Sequence, residues 1–107
     1  MEIPEIDVAE LARRRETGAV LVDVRQPDEY DEAHVPGAWL IPLGEVGQRL
    51  DEVPDDAEVL VICRTGGRSR KAAEVMAAAG RRAINVGGGT LAWIEAGRPV
   101  ARGPEPG

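Results

Sequence analysis

The chain is poor in the residues that build crosslinks and metal centres. Its 107 residues include one cysteine and one histidine. A lone cysteine cannot close an internal disulfide, so no crosslinked framework and no oxidising compartment is implied. Nor is there a second thiol in the chain to resolve a bond formed at the first. One histidine gives no Cys/His cluster for a resident metal, and no cofactor is expected. Lys71 is the only lysine among 13 basic residues, which face 19 acidic ones. The net charge of −6 argues against nonspecific binding to nucleic acid or to an anionic membrane. No apolar stretch approaches the ~18 residues of a membrane span. Met1-Glu2-Ile3-Pro4-Glu5 has neither the basic region nor the apolar core of a signal peptide, so the cytoplasm is the expected location. Internal repeats and linkers are absent as well.

What is present describes one globular domain over residues 1–107. Apolar residues make up 43% and charged residues 30% of the chain, the balance of an ordinary globular protein. A chain of this size buries roughly 65% of its unfolded surface, enough for one core. The expected core spans about residues 5–100, with a Pro/Gly-rich flexible tail at 102–107.

The most informative stretch surrounds the cysteine. Val59-Leu60-Val61-Ile62 reads as a strand buried on both faces. Cys63-Arg64-Thr65-Gly66-Gly67-Arg68-Ser69 follows, and then an alanine-rich run to Gly80. In that run Ala72, Val75, Met76 and Ala79 recur at the spacing of one helix face. Strand, tight glycine loop and helix therefore succeed one another, with Cys63 where the strand ends. Such a loop aims backbone N–H groups at one spot, and the helix dipole there favours negative charge. A thiolate at that spot is stabilised by the amides, the dipole and Arg64 and Arg68, which lowers its pKa from the free value near ~8.5. The expectation is a reactive Cys63; the plain alternative is an inert buried thiol.

Elsewhere the pattern alternates strand and helix. Ile3 to Ile6 suits a short edge strand. Asp7 caps a helix with Val8, Leu11 and Ala12 on its apolar side, and Glu10 is the expected capping-box partner. Ala19 to Val24, Trp39 to Ile41 and Ala83 to Val86 read as strands. Pro27 opens an acidic helical turn, Leu43 to Leu50 a weak helix interrupted by glycine, and Leu91 to Ala96 a last helix. Asp23 stands at the C-terminal end of a strand, where ligands gather in open α/β sheets. It either supports the cysteine loop together with Arg25, or it caps its own turn while Arg25 pairs with Glu29. His34 is a candidate base or a residue that fixes the Pro36-Gly37 turn. Trp93 suits the core better than a pocket wall. Gly87, Gly89 and Ala92 match a loose dinucleotide fingerprint, but the chain stops before the second strand and acidic residue that such a site needs.

Three stretches together resemble the rhodanese-like sulfurtransferases. Residues Cys63 to Ser69 are similar to the active-site loop of that family. Leu21 to Arg25, with Glu29-Tyr30 and His34 to Ala38, resembles its first signature. Gly88-Gly89, Trp93, Ala96-Gly97 and Pro99-Val100 resemble its C-terminal one. Ala33 departs from the glycine that most often precedes the histidine. The resemblance implies a three-layer α/β/α fold around a five-stranded, mainly parallel sheet with strand order 3-2-4-5-1. It places Asp23 and Arg25 beside the loop, makes Cys63 the catalytic nucleophile, and gives Arg64, Thr65, Gly66, Gly67, Arg68 and Ser69 to the substrate. It implies a thiosulfate sulfurtransferase, in which Cys63 takes a sulfane sulfur from a small anionic donor. Cyanide, a small thiol or a thioredoxin-like protein then removes it. A monomer or weak homodimer is expected.

Two other readings compete. A Cys-based phosphatase or arsenate reductase needs arginine six positions after the cysteine for bidentate contact with the oxyanion, and that position is Ser69. A non-catalytic persulfide carrier or regulatory module is the other.

Overall fold

The apolar run that ends at Ile62 is the centre strand of the sheet. The computed structural model describes residues 2–107. Five strands run in the order β1 (Glu5–Ile6), β2 (Val20–Asp23), β3 (Trp39–Leu40), β4 (Glu58–Ile62) and β5 (Arg82–Val86). The helices are α1 (Val8–Arg15), α2 (Pro27–Glu32), α3 (Gly67–Ala78) and α4 (Gly89–Glu95), with 3-10 turns at Leu43–Gln48 and Leu50–Glu52. In space the strands lie β1-β5-β4-β2-β3, and every pairing is parallel. This is the expected order counted from the other edge. Among the described residues, no helix is long and apolar enough to cross a membrane.

Successive side chains of a strand point to opposite faces, and β4 shows the result. Val59 and Val61 join Val22, Ala72, Ala73 and Met76 in one apolar cluster under α3. Leu60 and Ile62 join Leu11, Leu21, Tyr30 and Trp93 in the other, under α1, α2 and α4. The sheet is thus covered on both sides, as a run without polar alternation requires. All of Val59 to Ile62 are fully buried, and each such side chain contributes roughly 1.5–3 kcal/mol. Register places Asp23 opposite Ile62, so β2 and β4 end level with one another beside Cys63.

Two local expectations change. The buried stripe of α3 is Ser69, Ala72, Ala73 and Met76, whereas Val75 is exposed. The apolar spacing ran about a sixth of a turn off because Ser69, which has a polar partner inside, starts the stripe. Around α1, Asp7 accepts the Glu10 N–H at 2.9 Å. Glu10's carboxylate turns outward to Arg13 and Arg14 instead of closing the box.

Residues 102–107, expected as a flexible tail, lie against the chain between α2 and β3. His34 and Ala101 exchange backbone hydrogen bonds at 2.9 Å each. Gly103 donates to the Asp31 carbonyl at 2.7 Å, and the Pro106 carbonyl accepts from Gly37 at 2.8 Å. The reason is polar satisfaction: a buried polar side chain such as that of His34 needs hydrogen-bond partners, and the tail brings one in the Pro106 carbonyl.

Candidate active site

Cys63 follows the last residue of β4 and faces the first turn of α3. The residue is 1% exposed. Its Sγ accepts the Gly66 N–H at 3.1 Å and the Ser69 hydroxyl at 3.3 Å. Burial pushes the thiol up. The Ser69 hydroxyl, with the N–H groups of Ser69, Gly66 and Thr65, outweighs it and leaves the pKa below the ordinary thiol value. Hydrogen bonds to the anion, more than charge, are therefore what favours a thiolate here. Gly66 takes φ +114 at the entrance of α3, a left-handed conformation that suits glycine. That conformation turns its N–H toward the sulfur.

The two loop arginines part company. Arg68 gives both guanidinium arms to Glu29, at 2.7 and 2.9 Å. The Cys63 sulfur adds a smaller electrostatic contribution to the raised Arg68 pKa, after Glu29. Glu29 itself is lowered to about 2, chiefly by Arg68, against the opposing effect of burial. Arg64 stays exposed at the rim of a cleft of about 220 Å³, which Arg25, Ala33, Thr90, Leu91 and Ile94 also line.

Asp23 caps its own turn, as one of the two readings had it, but Arg25 pairs with Asp23 and not with Glu29. Asp23 Oδ1 accepts the Arg25 backbone N–H at 3.0 Å, which caps the turn. The two side chains form a buried ion pair at 2.9 Å, and Arg25 Nη2 also donates to the Ala33 carbonyl at 2.8 Å. Arg25 is held by Asp23 because the carboxylate is two residues away and fully buried, where an unpaired charge is costly. The pair fastens the β2–α2 connection that forms one wall of the cleft.

His34 is remote from the sulfur's hydrogen bonds. It is buried, stacked on Tyr30 at 3.7 Å. Its Nδ1 lies 2.8 Å from the Tyr30 carbonyl, and its Nε2 lies 3.1 Å from that of Pro106. Of the two readings, a structural role in the turn after α2 fits this environment. Trp93 is a core residue, 1% exposed, with Nε1 donating to the Pro99 carbonyl at 2.7 Å.

Thr90, Asn85 and Glu5, which sequence reasoning did not single out, close the site from below together with Gly89. Thr90 donates its backbone N–H and its hydroxyl to the Cys63 carbonyl, at 2.8 and 3.0 Å. A Cβ on Gly89 would meet the Arg64 carbonyl oxygen at 2.4 Å, so that glycine serves close approach to the cysteine loop. Asn85 accepts from Ser69 at 2.5 Å and donates to Gly66 O and to Glu5 Oε1.

The loop geometry finds its counterpart in known proteins. The rhodanese-like domain model matches residues 7–96. The chain belongs to the rhodanese-like family. A sulfurtransferase of Allochromatium vinosum is 34% identical over 92% of this chain and 94% of its own length. The solved structure of a rhodanese-related protein from Thermoplasma volcanium superposes with a TM-score of 0.86 at 31% identity, covering 92% of this chain and 97% of that one. Longer relatives carry the same domain. The chain covers 51% of a Bacillus subtilis protein named for sulfur carriage, at 39% identity over 85% of this chain. It covers 43% of an HTH-type transcriptional regulator of Mycobacterium tuberculosis, at 42% identity over 89% of this chain. The rhodanese-like assignment agrees with the parallel sheet and with the loop after β4.

Proposed function

We propose that this rhodanese-like domain moves a sulfane sulfur from thiosulfate, or from a persulfide donor, to a thiophilic acceptor through a persulfide on Cys63. The supporting observation is the convergence of the Gly66 N–H and the Ser69 hydroxyl on one sulfur at the start of α3. The Cys63 thiolate attacks the outer sulfur of thiosulfate. The sulfur–sulfur bond of the donor breaks, and sulfite leaves with the bonding electron pair. Cys63 then carries a persulfide whose outer sulfur bears the negative charge. An acceptor thiolate, or cyanide, attacks that outer sulfur and leaves with it, and the Cys63 thiolate is restored. This is covalent catalysis in two half-reactions. No general base is needed once the thiol is ionised, which fits the buried, stacked position of His34. Arg64, exposed at the cleft, is the side chain best placed to attract an anionic donor.

The sulfur has to depart to an outside molecule, since the chain holds one cysteine. A small thiol or a thioredoxin-like protein suits that role. The phosphatase reading fares poorly: Ser69 occupies the position of the required arginine, and Arg68 is committed to Glu29. Carriage of sulfur for a dedicated partner is the second reading, favoured by the name of the Bacillus subtilis relative.

Mass spectrometry tests both. Incubation with thiosulfate is expected to add one sulfur to the protein, and Cys63→Ser is expected to add none. Repeated turnover with a small thiol supports the enzyme. Loading without turnover supports the carrier. Failure to load sulfur from any sulfane donor overturns the proposal.

A further inference from the structure

Ser69 stands between two acceptors and has one proton to give. Its Oγ lies 3.3 Å from Cys63 Sγ and 2.5 Å from Asn85 Oδ1. A hydroxyl carries a single O–H donor. The orientation of the Asn85 amide is settled by its other end: Nδ2 donates to Glu5 Oε1 at 2.9 Å and to the Gly66 carbonyl at 3.2 Å. Both of those groups only accept. A flipped amide would set its oxygen against two oxygens, so Oδ1 is fixed toward Ser69. A thiolate is likewise only an acceptor.

We propose that Asn85, oriented by Glu5, is a positioning residue that competes with the Cys63 sulfur for the Ser69 proton and so sets how strongly that sulfur is held as an anion. The inference rests on Cys63 being the sulfur-handling group proposed above, but its test reads the free thiol alone. In the thiolate state the hydroxyl is drawn to sulfur, and Asn85 Oδ1 is left short of a donor. In the persulfide state the inner sulfur is neutral, and the hydroxyl returns to Asn85. The amide thereby limits stabilisation of the free thiolate and favours the loaded form. An anion that is held less tightly is also the better nucleophile.

The charged groups around the sulfur are otherwise occupied or directed elsewhere. From β2, Asp23 is paired with Arg25; from α2, Glu29 is paired with Arg68 of α3. Arg70 of α3 faces Glu5 of β1 at 3.6 Å, and Arg64 of the loop is exposed. Of these, Glu5 touches the Asn85 amide.

The test is a pH titration of thiolate ultraviolet absorbance in the full chain. Cys63 is the only thiol, and burial holds the single tyrosine, Tyr30, up near about 12, clear of the window. Asn85→Ala is expected to lower the Cys63 midpoint by about one pH unit, and Ser69→Ala to raise it by a similar amount, the size of one hydrogen bond to a charged group. In a Ser69→Ala background, the part of this drop that runs through the Ser69 proton is expected to be absent. Loss of the contact with the Gly66 carbonyl acts in both backgrounds and cancels in the cycle. An unchanged or raised midpoint in Asn85→Ala overturns the proposal, as does an equal drop with and without Ser69. Should the alanine variant not fold, the isosteric Asn85→Asp takes its place. As a stronger acceptor it is expected to raise the midpoint more with Ser69 than without it, and equal rises overturn the proposal. A protein that shows this coupling but never loads sulfur would sink the proposed function and leave the inference standing.

Discussion

Arg68 and Glu29 lock together at the mouth of the cysteine loop, with two guanidinium nitrogens on two carboxylate oxygens at 2.7 and 2.9 Å. The contact joins α2 to the start of α3 across 39 positions of sequence. It also changes what Arg68 does. The side chain that the motif offers to the substrate is already neutralised by a neighbour.

Kinetics with an anionic donor should expose this directly. Glu29→Gln frees the guanidinium and is expected to lower KM for thiosulfate several-fold, with steeper dependence on salt. Arg68→Ala leaves a carboxylate beside the entrance and is expected to raise KM by a similar factor. Steady-state rates at two ionic strengths check both. Equal KM values in all three proteins would remove the pair from donor binding.

The same ion pair gives a pH window for stability. The Glu29 carboxyl is lowered from 4.5 to about 2 in the fold. A depressed carboxylate contributes stability above its unfolded value and loses it as pH falls through the folded one. Thermal melts of the native chain and of Glu29→Gln are therefore expected to differ most above pH 4.5 and to converge as pH approaches about 2. The pair is about one-third exposed, so the difference will be modest.

Asp23 predicts a larger loss. It is fully buried and paired with Arg25, itself 5% exposed. Asp23→Ala strands the guanidinium in the interior and is expected to cost about 3–5 kcal/mol in urea unfolding. The double variant that also removes Arg25 is expected to recover part of that loss, since no charge is then left alone.

Gly89 tests how closely the loop is fitted from beneath. A methyl group there would meet Arg64 and Cys63 carbonyl oxygens at 2.4 and 2.6 Å, and the residue has φ +60. Gly89→Ala is expected to push the loop aside, slowing sulfur loading at least about tenfold and lowering the melting temperature. Gly80→Ala, where no atom lies within 4 Å but φ is +87, is the control: it carries the backbone strain without the collision. Its loading rate is expected to stay near that of the native chain.

Much of this was legible in the sequence, because the information was local. A buried apolar strand, two glycines and an alanine-rich helix place Cys63 whatever the rest does. The family signatures supplied the strand order. What stayed hidden depends on chain segments far apart. Arg25 had Asp23 and Glu29 within reach, and only packing decides that it takes Asp23 and leaves Glu29 to Arg68. Val75 satisfied the helical spacing as well as Ala73 did, but the inward face is set by Ser69 and its partner Asn85. The tail looked disordered because it is polar and rich in proline and glycine. Its order comes from acceptors it offers to Gly37 and His34, which composition does not reveal. Asn85 and Glu5 each read only as one residue of a strand. Their meeting needs β1 and β5 side by side.

That last pairing has a consequence for how the molecule comes into being. Glu5 and Asn85 are separated by 80 positions, and β1 has no neighbour in the sheet other than β5. During synthesis, Glu5 leaves the ribosome long before the strand it will hold has been translated. Cys63 also precedes β5, and until β5 and α4 are in place it has neither Asn85 behind Ser69 nor Thr90 under its carbonyl. A chain cut before β5 therefore leaves the thiol without Asn85 or Thr90, beside an open edge of β4.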